Sequence, residues 1–548
     1  MTPLSRRTFL SQTALAGSIP FKTSGTLLTQ TVALQSSLNR DPQNHNDPHL
    51  YLFLDNADVL HKEHLELSMN RIYKLPKPVL SADRPWEGER AQAWGSVICE
   101  PDGLFRMWYF AFNTERRWDE LDRGGYCYAE SRDGIHWEKP DLHQFEFRGS
   151  KRNNLFYSCA PDGHNLVDEE LARRGLGLPA MDENGVLIGV VNNLDGLTVV
   201  RDDDDPDPQK RYKLIANMQD HRMWAPYYPE RYPNVSPEQV KKSSRVFGQY
   251  LDTSPDGIHW TRRPQRLMAA RGGDYMMVTR DHRKKRWWLN ERAHDQGGRN
   301  ASLRTSIDWK QWSDLEVIFG KDSDPNFNRT FQWHGGITPF NYGRINLGLL
   351  EKWTLSGHGN TCELVTHRDG QSWKRVFPGA PFLDVGPEGS FDRILAYPSH
   401  NAPIRHHDKL YLFYTGAGSK TNPNKGTPMS MGLATLGIDR FAGLSNWRNL
   451  PPGKLITKPV EIPSAQLAIN IEYFEYTPMR IGISHANGDR IEGFEIENSQ
   501  IPVQTDQIYS IAQWKNKNSL SELVGKQVRL HFEIQGASLY GYKFLPRV

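Results

Sequence analysis

The chain has 548 residues, 38% hydrophobic and 11% aromatic, with 16 Trp and a formal net charge of +3. At ~150 residues per ordinary domain, that length requires several domains or a repeat architecture. Near-balanced charge without a long basic run excludes a nucleic-acid footprint. Cys99, Cys127, Cys159 and Cys362 lack metal-ligand spacing and are expected as buried thiols.

The N-terminus reads MTPLSRRTFLSQTALAGS. Arg6-Arg7 ahead of a mild apolar run and small residues is a twin-arginine export pattern. Residues 1–35 are therefore expected to be a signal and lead. The mature protein is expected in the periplasm or outside the cell. No later stretch of ~20 apolar residues offers a membrane span.

A short unit then recurs. Ser131-x-Asp133-Gly134-x-x-Trp137 returns as Ser254-x-Asp256-Gly257-x-x-Trp260, as Ser306-x-Asp308-x-x-x-Trp312 and as His367-x-Asp369-Gly370-x-x-Trp373. A decayed copy ends in Asp439-Arg440-Phe441. Asp-Gly is a tight-turn signal, because Gly accepts positive φ and Asp caps the turn. His136 and His259 are then outer positions of the scaffold. Ahead of each copy stand a short apolar strand, a polar turn and a longer aromatic strand; a third strand follows, and a fourth runs from the Trp. Four short strands repeated five times predict a five-bladed β-propeller over 50–445. Helical signal is sparse, with EELARRGL (169–176) the one short candidate. The acidic run Asp202–Asp205 falls at a hairpin tip and is expected as a solvated turn. Beyond 445 the unit stops. PPGKLITKPV (451–460) is expected to link into strands that alternate polar and apolar residues, a β-sandwich over 446–548.

A propeller keeps its chemistry where its innermost strands enter the channel. Those entries hold Glu87, Asp195, Asp274, Glu388 and Asp392, with Arg90, Arg271, Arg393, His334 and His400. Trp86, Trp94 and Trp333 add aromatic faces. Rings stack on sugar C–H surfaces, and charged forks bind hydroxyls and carboxylates. Glu87 follows Pro85-Trp86 and can equally cap a turn. Glu351, in the second-strand sequence LLEKW, is expected to lie deeper. His334 and His400 stand alone, which suits a hydrogen-bonded role better than metal binding.

The motifs RPWEGERAQAWGSVICEPDGLFRMWY (84–109), YAESRDGIHWEKP (128–140), FRGSKRNNLFY (147–157), SPDGIHW (254–260), GSFDRI (389–394) and YLFYTGAG (411–418) resemble the propeller superfamily of glycoside hydrolase families 32, 43, 62 and 68. They are most similar to exported bacterial proteins labelled "glycosyl hydrolase family 32 N-terminal-like". The resemblance covers nearly the whole mature chain. It implies a five-bladed propeller, a trailing β-sandwich and an acid-lined channel. The invertase motifs W-M-N-D-P-N-G, R-D-P and E-C are absent, and Trp86-Glu87 stands where the first is expected.

The expectation is an exported glycoside hydrolase with Glu87, Asp274 and Glu388 as its acid/base set and Asp392 as first substitute. Trp86, Arg90, Trp94, Asp195, Arg271, Trp333, His334 and His400 are the expected substrate-binding residues. The expected partner is a carbohydrate. No cofactor is expected, and a structural Ca²⁺ is possible but not indicated. The alternatives are a non-catalytic carbohydrate-binding propeller and a phosphorylase using Arg and His for phosphate.

Overall fold

The structure, a computed structural model, describes residues 41–545 apart from 113–123, 159–177, 270–274, 419–426, 502–507 and scattered shorter positions. The expected signal, the helix candidate at 169–176 and the Asp369-Gly370 turn lie outside the described residues.

The fold is all-β with a propeller architecture. Three antiparallel four-stranded sheets follow one another along the chain. Their innermost strands are Asn193–Arg201, Met276–Asp281 and Phe331–Tyr342. A ten-stranded sheet contains two further meanders, opened by Arg90–Cys99 and by Leu395–Pro398 and joined at one parallel pairing of Met429 with Arg90. Side chains tie one inner strand to the next. Ser96 Oγ accepts from Val199 N–H at 3.0 Å, Thr198 donates to Met276 O at 3.3 Å, and Thr279 donates to Pro339 O at 2.6 Å. His400 N–H then donates to Gly95 O at 3.0 Å, bringing the last meander back to the first.

The last meander differs from expectation in its outer strand. Tyr73–Lys74 and Leu80–Ser81, from before the first meander, pair with Met429–Gly437. The decayed repeat explains this. It has no Trp, and Phe441 turns into an apolar core while the chain leaves along Ala442–Asn446.

The repeat turns at Ser131, Ser254 and Ser306 are hydrogen-bonded caps. Ser131 Oγ accepts from Gly134 N–H at 2.9 Å, and Asp133 Oδ1 accepts from Ile135 and His136 N–H at 2.8 Å. The His136 ring meets the other carboxylate oxygen at 2.7 Å. Ser254, Asp256, Gly257 and His259 repeat the pattern. Burial opposes ionisation at Asp256, but these donors outweigh it and hold the carboxyl at about 2.

A six-stranded and a five-stranded sheet make the sandwich, with Leu455, Leu467, Ile469, Ile481 and Phe532 in the core between them. Strand Gln527–Ile534 alternates exposed or half-buried with buried residues, the period-two signature of a sheet with one apolar face. Residues counted with the propeller contribute here. Leu50–Leu52 pairs with Ala537–Leu545, Val59–Glu63 with Gly453–Thr457, and Glu66–Met69 with Ala442–Asn446. The segment 451–460, expected as a linker, contains strand Gly453–Thr457 of the five-stranded sheet and opens a second, Val460–Glu461. Pro451, Pro452 and Gly453 mark the entry into that pairing.

Two local expectations are corrected. Asp202 is buried, ion-paired to Lys213 at 2.7 Å and bonded by Trp309 Nε1 at 3.1 Å, so the acidic run is not simply a solvated turn. One α-helix, Pro237–Ser244, escaped the pattern analysis. Its signal is a reciprocal capping box of Ser236 and Gln239 with Pro237 at the first position.

Candidate active site at the head of the channel

Three inner strands break register near the channel entry. The breaks fall between Gln92 and Ser96, between Leu194 and Leu197, and between Trp333 and Ile337. Each contains glycine: Trp94-Gly95, Asp195-Gly196 and His334-Gly335-Gly336. A bulge re-aims side chains and is common beside active sites. Glycine is sterically required at Gly95, Gly335 and Gly336. A Cβ on Gly95 would stand 2.0 Å from Trp108 O, and one on Gly335 would stand 2.1 Å from the Tyr275 ring. Gly336 has φ +113°, and Asn290 spans the break by donating to Gly335 O at 2.6 Å and accepting from Ile337 N–H at 3.0 Å.

The break delivers His334 onto a buried acid. His334 Nδ1 lies 3.0 Å from Glu351 Oε2, and Tyr275 Oη donates to Glu351 Oε1 at 2.5 Å. Glu351 is fully buried, and burial pushes its carboxyl up to about 8 against the opposing pull of Tyr275, Arg292 and the Gly335 amide. Burial, then Arg292 and Arg299, hold His334 well below its ordinary value. At neutral pH the pair is a neutral carboxylic acid beside a neutral imidazole. Oε2–H then donates to Nδ1, which leaves the ring proton on Nε2.

Rings continue inward from this pair. Tyr397 stacks on His334 at 4.5 Å, Tyr275 meets His334 at 5.5 Å, and His400 lies edge-on to Tyr275 at 4.8 Å. His400 Nδ1 contacts Leu197 O at 3.2 Å, and its buried Nε2 has no partner among the described residues. Burial lowers His400 to about 4. His400 also lines a cavity of about 70 Å³ toward the other end of the channel, with Arg201, Thr279 and Asn341. That volume holds roughly two waters.

Three of the expected acids, Glu87, Glu388 and Asp392, are engaged with other partners. Glu87 is fully buried and saturated: it caps Asp83 and Arg84 N–H at 2.8 and 3.0 Å, accepts from Tyr109 Oη, and pairs with Lys139 at 2.8 Å. Those bonds make it a turn cap with a buried counter-ion. Asp392 is buried against Lys74 at 2.5 Å and Tyr414 Oη at 2.9 Å. Burial opposes its ionisation, but Lys74, Ser390 and Tyr414 win and lower its pKa. Glu388 is 84% exposed and pairs with Arg393 at 3.0 Å. Asp274 and Arg271 lie outside the described residues, and Asp195 is described only as part of its strand.

The expected binding residues also divide. Trp94 is half-buried, stacked on Phe110 at 6.2 Å and edge-on to Tyr275 at 6.1 Å, which brings it to this site. Trp333 is instead fully buried in an apolar core, its indole bonded to Ser323 at 3.0 Å; the register break turns its neighbour, not Trp333, toward the channel. Trp86 bonds Asn154 at 2.7 Å and packs edge-on to Phe147. Arg90 donates to Thr427 O at 3.1 Å. Tyr275, Arg292 and Arg299 were missed. The legible signal was a charge within an apolar strand, Glu351 in INLGLLEKW and Arg292 in WWLNERA. Among the described residues, no three His, Cys, Asp or Glu side chains group to hold a metal ion. No helix among them is long and apolar enough to cross a membrane.

No protein-family model and no curated protein matches this chain. Solved structures do. The catalytic domain of a GH62 α-L-arabinofuranosidase from Coprinopsis cinerea is similar at 14% identity and TM-score 0.40, over 67% of this chain and 97% of that one. A β-1,2-mannobiose phosphorylase from Listeria innocua is similar at 12% identity and TM-score 0.42, over 68% and 98%. A GH32 β-fructofuranosidase from Bombyx mori is similar at 11% identity and TM-score 0.38, over 86% and 94%. Likenesses of this strength assign neither substrate nor catalytic residue.

Proposed function

We propose that this chain is an exported glycoside hydrolase working at the head of a five-bladed propeller channel, with Glu351 as its proton source. The observation that carries the reading is a buried carboxyl, pushed up to about 8, joined to a channel-facing imidazole at 3.0 Å. A carboxylic acid kept neutral at pH 7 is what protonation of a glycosidic oxygen requires. Glu351 is too deep to touch a sugar, whereas the His334 side chain is 13% exposed. The proton therefore passes in one concerted step. Nε2–H goes to the leaving oxygen as Oε2–H goes to Nδ1, and the imidazole stays neutral throughout. Trp94 and Tyr397 supply aromatic faces. Asp274, next in sequence to Tyr275, is the proposed base or nucleophile, on sequence grounds. The sandwich, over 446–548 with the paired strands of 50–69, braces the propeller.

The test is release of sugar from a broad panel of oligosaccharides and aryl glycosides by the parent, Glu351→Gln and Asp274→Asn. Turnover by the parent, lost in both variants, supports the assignment. Turnover that survives Glu351→Gln overturns the role of that residue.

A second reading has its own support. Glu87 and Asp392 are saturated by ion pairs, as structural carboxylates are. A channel whose acids serve the scaffold suits a carbohydrate-binding propeller without catalysis. Binding by the parent with no release would establish it.

A further inference from the structure

Arg299 is half-buried at the channel head, its guanidinium 4.4 Å from the Trp353 ring centroid. Among the described residues it makes no ion pair. Three other half-buried arginines of this chain each hold two carboxylates, whereas Arg440 donates to Asn470 and Ile471 O. Arg201 holds Glu100 and Asp203, Arg368 holds Asp55 and Asp58, and Arg375 holds Glu363 and Asp324, all at 2.5–2.9 Å. A desolvated cation without a carboxylate is costly, and stacking on one indole offsets only part of that cost.

A second guanidinium lies in the same neighbourhood. Arg292 is buried and donates to His334 O at 3.2 Å. Arg292 and Arg299 both lower His334 and His294, so the two charges share one neighbourhood. Among the described residues, Glu351 is a carboxyl that acts on Arg292, and burial pushes it up to about 8. Glu291, beside Arg292 in sequence, pairs with Arg304 at 3.3 Å. The head of the channel thus places the Arg299 guanidinium near the faces of Trp353 and Tyr397.

We propose that this end of the channel binds a glycan bearing an oxyanion, a uronate carboxylate or a sulfate ester, with Arg299 as the recognising group. The proposal rests on the carbohydrate reading above and names its substrate class. A planar guanidinium presents paired N–H donors that match either oxyanion, and a half-buried site makes such charge-assisted bonds strong. Trp353 behind the guanidinium fixes its plane, so the donors are oriented before the ligand arrives.

The test is affinity electrophoresis of the full chain in native gels. The gels contain polygalacturonate, alginate, chondroitin sulfate or fucoidan, beside neutral arabinan, xylan and mannan. Binding of inorganic phosphate is measured separately by calorimetry. The expected result is retardation by at least one acidic polysaccharide. It should weaken at least tenfold in Arg299→Gln, recover in part in Arg299→Lys and persist in the exposed control Lys77→Gln. The carboxylate and sulfate arms identify which oxyanion is taken. Thermal unfolding of each variant checks that the fold is kept, and Arg299→Lys keeps the test valid if Arg299→Gln does not fold. No retardation by any acidic polysaccharide overturns the proposal, as does equal retardation of parent and both Arg299 variants. Arg299-dependent binding of phosphate without acidic-glycan binding overturns it in favour of an inorganic oxyanion. Retention by neutral glycans alone overturns this inference and leaves the carbohydrate reading standing; retention by none removes support from both.

Discussion

Trp108 donates its indole N–H to the carbonyl of Gly257 at 2.7 Å, and so the second strand of one meander is latched to the repeat turn of the next. The same relation recurs around the ring. Gly134 packs against Tyr411 and Phe413 of the last meander, and Trp309, which replaces the glycine of the third copy, bonds Asp202 of the second. The recurring turn is therefore a joint between sheets. In the Gly134 and Gly257 copies, positive φ and lack of a side chain let the backbone lie on an aromatic ring.

Gly257→Ala tests that joint. Gly257 has φ +76°, and an added Cβ would stand 2.8 Å from Trp108. The expected loss is about 2–3 kcal/mol, from strain and overpacking together. Gly103→Ala is the control: its φ is +84° but nothing lies within 4 Å, so only about 1 kcal/mol of backbone strain is expected. Denaturant midpoints measure both. Equal losses would remove the steric part of the argument.

Glu351 sets a high-pH limit. Its folded pKa is raised from 4.5 to about 8, so it stays protonated below about 8 and loses its proton above. Activity is expected to fall as pH rises through about 8, and Glu351→Gln is expected to lower kcat by about 10²–10⁴-fold. Stability follows the same sign. The contribution of a raised group is present below 4.5 and is lost as pH rises toward 8. Unfolding of Glu351→Gln should show a weaker pH dependence across that window. A parent profile flat to pH 9 would contradict the assignment.

His400 sets an acid limit on stability. Its pKa is depressed by burial from 6.5 to about 4, so the folded state keeps it neutral while the unfolded chain takes a proton. Stability is full above 6.5 and is lost as pH falls toward 4, by about 3 kcal/mol. His45, depressed by burial to about 3, adds to the same loss. Urea midpoints at pH 7 and 4.5 measure the fall, and His400→Gln should reduce it. An unchanged fall in that variant would show that other groups carry it.

Asp439 links three parts of the fold. It is buried, accepts from Tyr342 Oη at 2.5 Å and from Tyr509 Oη of the sandwich, and faces Arg405 at 3.6 Å. Asp439→Asn removes the charge opposite Arg405 and leaves the two phenols one good acceptor. The expected loss is about 2–4 kcal/mol. A thermal melt that stays single and unshifted would show that these bonds add nothing net.

The sequence by itself determined the repeat, its capped turn and the all-β class, because these rest on local rules: Asp-Gly chemistry, strand alternation and the spacing of aromatic residues. It also pointed to His334 and Trp94, whose H-G-G and W-G contexts mark register breaks. Only the tertiary structure decided how each acid is partnered. Glu87, Asp392 and Glu351 look alike in sequence. Their differences come from partners far along the chain: Lys139 for Glu87, Lys74 for Asp392, and Tyr275 with His334 for Glu351. The outer strand of the last meander and the N-terminal strands of the sandwich were hidden for the same reason. Pairing across some 350 to 490 residues leaves no local trace, because a strand's pattern states which face it buries and not which edge it joins.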